Sequence, residues 1–373
     1  MAVGGGGTGS KAKGFSRGSL IRQSMTQERG CRKVLFLFWL CHRPLEGNSS
    51  PLSHTPMRSE YAESLPGNWR FLDCQRDNAH GALIIPKGRE LGMARSGGPL
   101  TICVINLKGG VGKSTVAALL SRHAFSNRGM DVLAIDLDPQ ANLSQGLMHN
   151  DYDDFLKERR PSIVELFGGY MPPRKGSGPS PLAATEITET ILETSDRSLQ
   201  LIPSRFDFSD HLTESMRPDP KVLARFLSKN FKNKDVIFID CSPTESVFTI
   251  AAYHASSYVL IPVRPEYFAT IGFPLLAQSL DNFRRKNRGH EINVAGIIIN
   301  NAFYHGGNDG GPEKTRAIRE IRGEAAKNGW HIFKTQMDHS RGYPKIMRGD
   351  YSHSGNASNF WYFADEFFKH IGL

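Results

Sequence analysis

The chain has 373 residues, 39% of them hydrophobic, which is enough for one large or two ordinary domains with a buried core. Its formal charge of +9 favours an anionic partner, nucleic acid or a membrane surface, yet residues 1–92 hold about +6 of it, with 13 Lys and Arg against 7 Asp and Glu. The five cysteines form no C-x-x-C pair and show no zinc-ligand spacing, which argues against a cysteine-built metal site and fits a reduced, cytoplasmic setting.

Residues 1–95 mix Gly, Ser, Arg and scattered aromatics without a sustained period of 2 or 3.6. They read as a disordered extension, or as sequence upstream of a functional start at Met93; a small regulatory or DNA-binding arm is the other reading. The apolar run Val34–Cys41 falls far short of the roughly 20 residues a membrane span needs. It also starts late for a signal peptide, no small-residue cleavage site follows it, and Leu40 is too large to precede a lipoprotein cysteine.

Regular patterning begins at Leu100. Short apolar runs at Thr101–Ile105, Val132–Ile135, Leu199–Ile202, Val236–Ile239, Tyr258–Ile261 and Val294–Ile299 have the continuous Val/Ile/Leu character of strands buried on both faces. Helical segments at Val116–Asn127, Lys221–Asn230 and Phe273–Lys286 lie between several of them. Alternation of this kind implies right-handed crossovers and an α/β fold, a doubly wound, mostly parallel sheet with helices on both faces, spanning residues 96–373 as one domain. Cys103 and Cys241, within or beside apolar runs, are expected as small buried hydrophobes. Residues 170–185, rich in Pro, Gly and Ser, are expected as a surface loop. Near the C-terminus, aromatics between Ala357 and Ile371 at helical spacing predict a helix docked on the sheet.

The strongest local pattern is Lys108-Gly109-Gly110-Val111-Gly112-Lys113-Ser114-Thr115, placed between the first strand and the first helix. Glycines let successive N–H groups turn inward around phosphate oxygens, and the following helix directs its positive end at the same charge. In such a loop Lys113 reaches the β- and γ-phosphates of a nucleotide and the Ser114 hydroxyl ligates Mg²⁺. The usual pattern G-x-x-x-x-G-K-[ST] nevertheless fails, because its first glycine position is Leu107 and an extra lysine, Lys108, follows.

That departure resembles the deviant Walker ATPases, the family of ParA, MinD and the nitrogenase iron protein. The resemblance runs in the family's order over roughly residues 100–373. It implies ATP and Mg²⁺ as cofactors, a homodimer formed with ATP, and a Lys108 that crosses to the phosphates of the opposite subunit. Asp136-Leu137-Asp138-Pro139-Gln140, at the end of the second strand, resembles the ParA branch. By that resemblance Asp138 positions the attacking water and Asp136 supports the metal's surroundings, both from the strand end where open sheets bind ligands. Asp235-Val-Ile-Phe-Ile-Asp240 resembles the Walker B strand, with Asp240 serving the metal; the other reading of Asp240 is a helix cap. Leu260–Ala269 and Gly272 resemble the following ParA segment, and Asn300 falls where the family contacts adenine or, equally, where a turn asparagine would stand.

The site does not disclose its readout. An iron–sulfur reductase needs cluster cysteines, and none follows Cys241. A MinD-like membrane switch needs a basic amphipathic tail, whereas Asp365 and Glu366 sit in this one, and the tyrosine cluster of a bacterial tyrosine kinase is missing from it. Two classes stay open. One is an ATP-driven switch that binds DNA non-specifically, with a ParB-like stimulating protein as partner and a cytoplasmic, nucleoid-associated location. The other is a regulatory or positioning ATPase that acts on a protein partner or a membrane without DNA. Candidate DNA contacts are Arg316, Arg319 and Arg322, three apart on one helix with Lys314, and Arg284, Arg285, Lys286 and Arg288 at another helix end. The competing reading of either cluster is an ordinary solvated face.

Overall fold

The computed structural model describes residues 69–76, 79–86, 98–168, 183–206, 219–266, 269, 271–301, 311–351 and 357–373. Two strands, β1 (Trp69–Arg76) and β2 (Ala79–Pro86), pair antiparallel as a separate two-stranded sheet within the stretch expected to be an extension. The rest of that stretch, Val34–Cys41 included, lies outside the described residues, as do residues 170–182 of the loop expected over 170–185, whose last two residues, Ala184 and Thr185, instead begin a short helix.

The larger sheet has seven strands. They are β3 (Leu100–Val104), β4 (Val132–Asp136), β5 (Glu189–Glu193), β6 (Ser198–Ile202), β7 (Val236–Asp240), β8 (Tyr258–Val263) and β9 (Asn293–Ile299), in spatial order β5-β6-β4-β7-β3-β8-β9. All six expected strands form, with ends moved by a residue or two. All their pairings are parallel. The seventh, β5, pairs antiparallel with β6 at the sheet's edge. Its sequence, Glu-Thr-Ile-Leu-Glu, is short, half-exposed and charged at both ends, which is how a protected edge strand escapes a search for apolar runs.

Alternate residues of the central strands enter two separate cores. Ile102, Val104, Val132, Ala134, Val236 and Phe238 face one, where α1 (Lys113–Arg128), α2 (Asn142–Met148), α10 (Gly342–Met347) and α11 (Ser358–His370) pack. Cys103, Leu133, Ile135, Ile237 and Ile239 face the other, covered by α4 (Ile163–Gly168), α6 (Val222–Asn230), α7 (Val247–Ala255), α8 (Gly272–Lys286) and α9 (Gly311–Asn328). Two short helices, α3 (Asp151–Lys157) and α5 (Ala184–Ile187), complete the described set. Helices on both faces of a mostly parallel sheet are the expected architecture, and Cys103 and Cys241 are buried as expected.

Helix α11 docks as its aromatic spacing requires. Phe360, Phe363, Phe367 and Phe368 are fully buried, and Phe367 and Phe368 pack on Phe238 of β7 at ring distances of 6.5 and 6.2 Å. Its polar positions also take part: Asp365 accepts from Arg128 at 3.3 Å and lies 3.2 Å from His123 Nε2, which ties α11 to α1. Among the described residues no helix is long and apolar enough to cross a membrane.

Candidate functional site

The sheet's pairing brings three sequence motifs to one place. Val104, the last residue of β3 before the glycine loop, is in register with Asp240 of β7, and Asp240 is in register with Asp136 of β4. The loop and both strand-end aspartates therefore meet at the carboxyl end of the sheet, where parallel open sheets bind ligands.

The loop's shape is held by long-range hydrogen bonds. Asn106 donates from Nδ2 to the Pro262 carbonyl at 2.8 Å and accepts the Lys108 N–H at 2.9 Å. Asn300 donates from Nδ2 to the Val111 carbonyl at 2.9 Å and is buried. Its amide thus braces the loop. Gly112 has φ of +94°, and a Cβ there would stand 2.4 Å from Asn300 Nδ2. Only glycine fits that backbone and that approach.

Three observations fit the phosphates of a nucleotide. Helix α1 starts at Lys113 with no side-chain cap and no acidic residue in its first turn, which leaves its N–H groups directed at the loop. Gly109 and Gly110 are exposed, so the loop opens to solvent. Lys113 is buried under the loop with Nζ 3.2 Å from the Lys108 carbonyl. Burial pushes the Lys113 pKa down, against the pull of Asp240 and Asp138.

The two strand-end carboxylates differ in how they are satisfied. Asp136 accepts the Asp138 N–H at 3.0 Å on one oxygen, and the Ser144 N–H and hydroxyl at 2.8 and 2.7 Å on the other. Burial nevertheless pushes its pKa up to about 7 against those hydrogen bonds. Asp240 is fully buried, and neither carboxylate oxygen has a well-formed hydrogen bond among the described residues. Its pKa is raised well above the carboxylate range by burial and then by Asp136, and the nearby Ser114 hydroxyl and Lys113 only partly offset this. The buried Asp136 beside the unsatisfied carboxylate of Asp240 forms a place that a divalent cation would relieve. Among the described residues no group of three or more His, Cys, Asp or Glu is arranged to hold a metal alone. A cation held there would need further ligands from outside these residues.

Asp138 is buried too, with Oδ1 accepting the Gln140 N–H at 2.9 Å. Sequence reasoning missed Asn106, Ser144, Arg264 and Glu266. Glu266 Oε1 lies 2.8 Å from Lys108 Nζ and its Oε2 lies 3.3 Å from Arg264. No spacing rule connects residues so far apart in the chain, although both Arg264 and Glu266 stand in the segment after β8 that the ParA resemblance covers.

The two basic clusters differ in what already occupies them. In α8, Arg284 donates from both Nε and Nη2 to the Ile292 carbonyl at 3.1 and 2.8 Å, and Arg285 reaches Asn282 at 2.7 Å. Helix α9 buries Ala317, Ile321 and Ala325 and turns Arg316, Arg319 and Arg322 to solvent. Arg316 pairs with Glu320 at 3.0 Å, an exposed contact of small worth.

Comparison with known proteins agrees with this geometry. The family described as an AAA domain matches residues 100–293, from the start of β3 to the start of β9. The chromosome partitioning protein ParA of Myxococcus xanthus is 30% identical over 228 residues, which are 59% of this chain and 70% of that protein. Among solved structures, the ATP complex of a Cyanothece McdA variant superposes with a TM-score of 0.59 at 20% identity, covering 74% of this chain and 98% of that one. Cobyrinic acid a,c-diamide synthase from Mycobacterium smegmatis, solved with ADP and magnesium, gives 0.55 at 21% identity over 74% of this chain and 96% of that one. At such identities these two structures speak for the fold alone.

Proposed function

The chain belongs to the ParA family of P-loop ATPases, and from that premise we propose that it is a dimerising ATP switch that binds DNA without sequence preference and partitions DNA or positions cargo. The observation that carries the reading is the pairing of two lysines in one phosphate loop, Lys113 under it and Lys108 at its rim, over the unsatisfied carboxylate of Asp240.

Lys113 and the N–H groups of the loop and of helix α1 hold the β- and γ-phosphates. Ser114 and Asp240 would hold Mg²⁺, and Asp136 would support them by fixing the Asp138 backbone and the Ser144 end of α2. Mg²⁺, when bound, neutralises charge that develops on the phosphate oxygens. Asp138 orients the water that attacks the terminal phosphorus, so that the bond to the leaving ADP oxygen breaks as the new one forms. Lys108 contributes its charge across the dimer, where it steadies the transferring phosphoryl group. Asn300 serves the nucleotide through the loop it braces. A ParB-like partner stimulates a slow intrinsic turnover, and the location is cytoplasmic, on the nucleoid when DNA is bound.

The exposed arginine row of α9 favours DNA as the readout, since side chains three apart on one face suit a line of phosphates. The second reading, a positioning ATPase acting on a protein, keeps this row as an ordinary solvated face, of which the exposed Arg316–Glu320 pair is a part. Binding of the full-length Asp138→Ala protein with ATP and Mg²⁺ to unrelated duplexes, measured against salt, separates the two. Similar affinities for all duplexes are expected, and replacing Arg316, Arg319 and Arg322 by Ala should flatten the log–log salt slope by about 0.9 per lost phosphate contact. A nucleotide-bound protein that ignores DNA at low salt would remove the DNA reading.

A further inference from the structure

After β8 the chain turns back over the glycine loop. The Glu266 N–H donates to the Arg264 carbonyl at 2.9 Å and the Ala269 N–H donates to the Glu266 carbonyl at 2.8 Å, which fixes the turn. From it the Glu266 carboxylate uses its two oxygens on two different cations, Oε1 on Lys108 and Oε2 on Arg264. The other terminal nitrogen of Arg264 lies 3.7 Å from where a Cβ of Gly110 would be. That is ordinary contact distance, so the guanidinium rests against the outer turn of the phosphate loop, where Gly110 has φ of +70°. One carboxylate thus bridges two cations at the rim of an anion site. All three side chains are between 22 and 31% exposed, close enough to solvent to exchange partners.

We propose that Glu266 is a specificity-determining residue of the nucleotide site: its carboxylate stands in for the terminal phosphate of ATP and holds Lys108 and Arg264 until a third phosphate displaces it. The inference rests on the ATP reading above and adds to it a residue that tells ATP from ADP. A γ-phosphate carries more charge than a carboxylate and offers more oxygens, and a guanidinium matches phosphate geometry with two parallel donors. ADP ends at the β-phosphate, which Lys113 and the helix terminus hold, so it leaves the Glu266 bridge intact. ATP binding is therefore discounted by the cost of opening the bridge. Lys108 is released for the opposite subunit only in the triphosphate state.

The test compares full-length wild type, Glu266→Gln and Arg264→Gln, with Mg²⁺, in displacement titrations by ATP and by ADP. Gln keeps the size of Glu and removes its charge. Glu266→Gln should tighten ATP about fivefold, and Arg264→Gln should weaken it about fivefold, in line with partly exposed ion pairs. ADP should change by less than about twofold in both, and both ATP effects should shrink at about 1 M salt. A misfolded variant weakens both nucleotides and cannot produce the opposite signs. If the two nucleotides shift together, or if Glu266→Gln leaves ATP unchanged or weakens it while wild type binds ATP, the bridge is only structural and the inference fails. A wild-type chain that does not bind ATP overturns the ATP reading itself, and the inference with it.

Discussion

Replacing Gly112 by Ala tests the loop's shape against a cost that the structure sets. The new Cβ would occupy a backbone at φ +94° and stand 2.4 Å from Asn300 Nδ2. Left-handed backbone costs an L-residue about 1–2 kcal/mol. Pushing Asn300 away forfeits its buried hydrogen bond to the Val111 carbonyl, worth about 1–3 kcal/mol when a partner is left unsatisfied. The sum, about 2–5 kcal/mol, is charged to the nucleotide-competent loop and predicts ATP affinity weakened from roughly 30-fold to a few thousandfold. Calorimetric titration of the full chain with ATP and Mg²⁺ measures it. Asn300→Ala in the same protein removes the colliding atom but not the backbone cost, so the double variant should lose less than the two single losses added together. A Gly112→Ala protein that binds ATP within about threefold of wild type would refute the idea that this loop conformation holds the phosphates.

Lys113→Ala should weaken ATP by roughly 10- to 150-fold, the worth of a hydrogen bond to a charged group, while the melting temperature of the nucleotide-free chain changes little. Phe367→Ala, which opens a hole between α11, Phe238 and Phe333, should destabilise folding by about 3–5 kcal/mol in denaturant titration and leave ATP affinity in the remaining folded protein unaltered. His123 is buried between Trp361 and Phe368, facing Asp365 and Arg128, and burial pushes its pKa below the ordinary 6.5. Because the folded pKa lies below the unfolded one, the unfolded chain takes up the extra proton and stability falls as pH drops from about 6.5 toward the folded value. Melting curves between pH 8 and 5 should show this loss, at no more than about 1.4 kcal/mol per pH unit for each such group, and His123→Phe should reduce it without abolishing it, since His254 and His331 shift the same way.

The strands that position the site were legible because β3, β4, β7 and β8 are buried on both faces and so read as unbroken Val/Ile/Leu runs. β5 was not legible, because an edge strand half in solvent needs no such run. The glycine loop could be placed from its letters alone, since strand, turn and helix follow one another within a few residues. Its supports could not. Asn106 on Pro262, Asn300 on Val111 and Glu266 on Lys108 are joined only through the order of strands in the sheet, which local spacing does not encode. Asp136 shows the same limit at shorter range. Its position at a strand end suggested the metal, and its hydrogen bonds to Asp138 and Ser144 add a second task, holding the turn that carries Asp138.

Sedimentation velocity of the full-length Asp138→Ala protein, with Mg²⁺ and either ATP or ADP, tests the switch most directly. The account predicts a dimer with ATP, a monomer with ADP, and a monomer with both once Lys108→Ala is added. A chain that sediments identically with ATP and ADP, or that dimerises with ATP without Lys108, would contradict it.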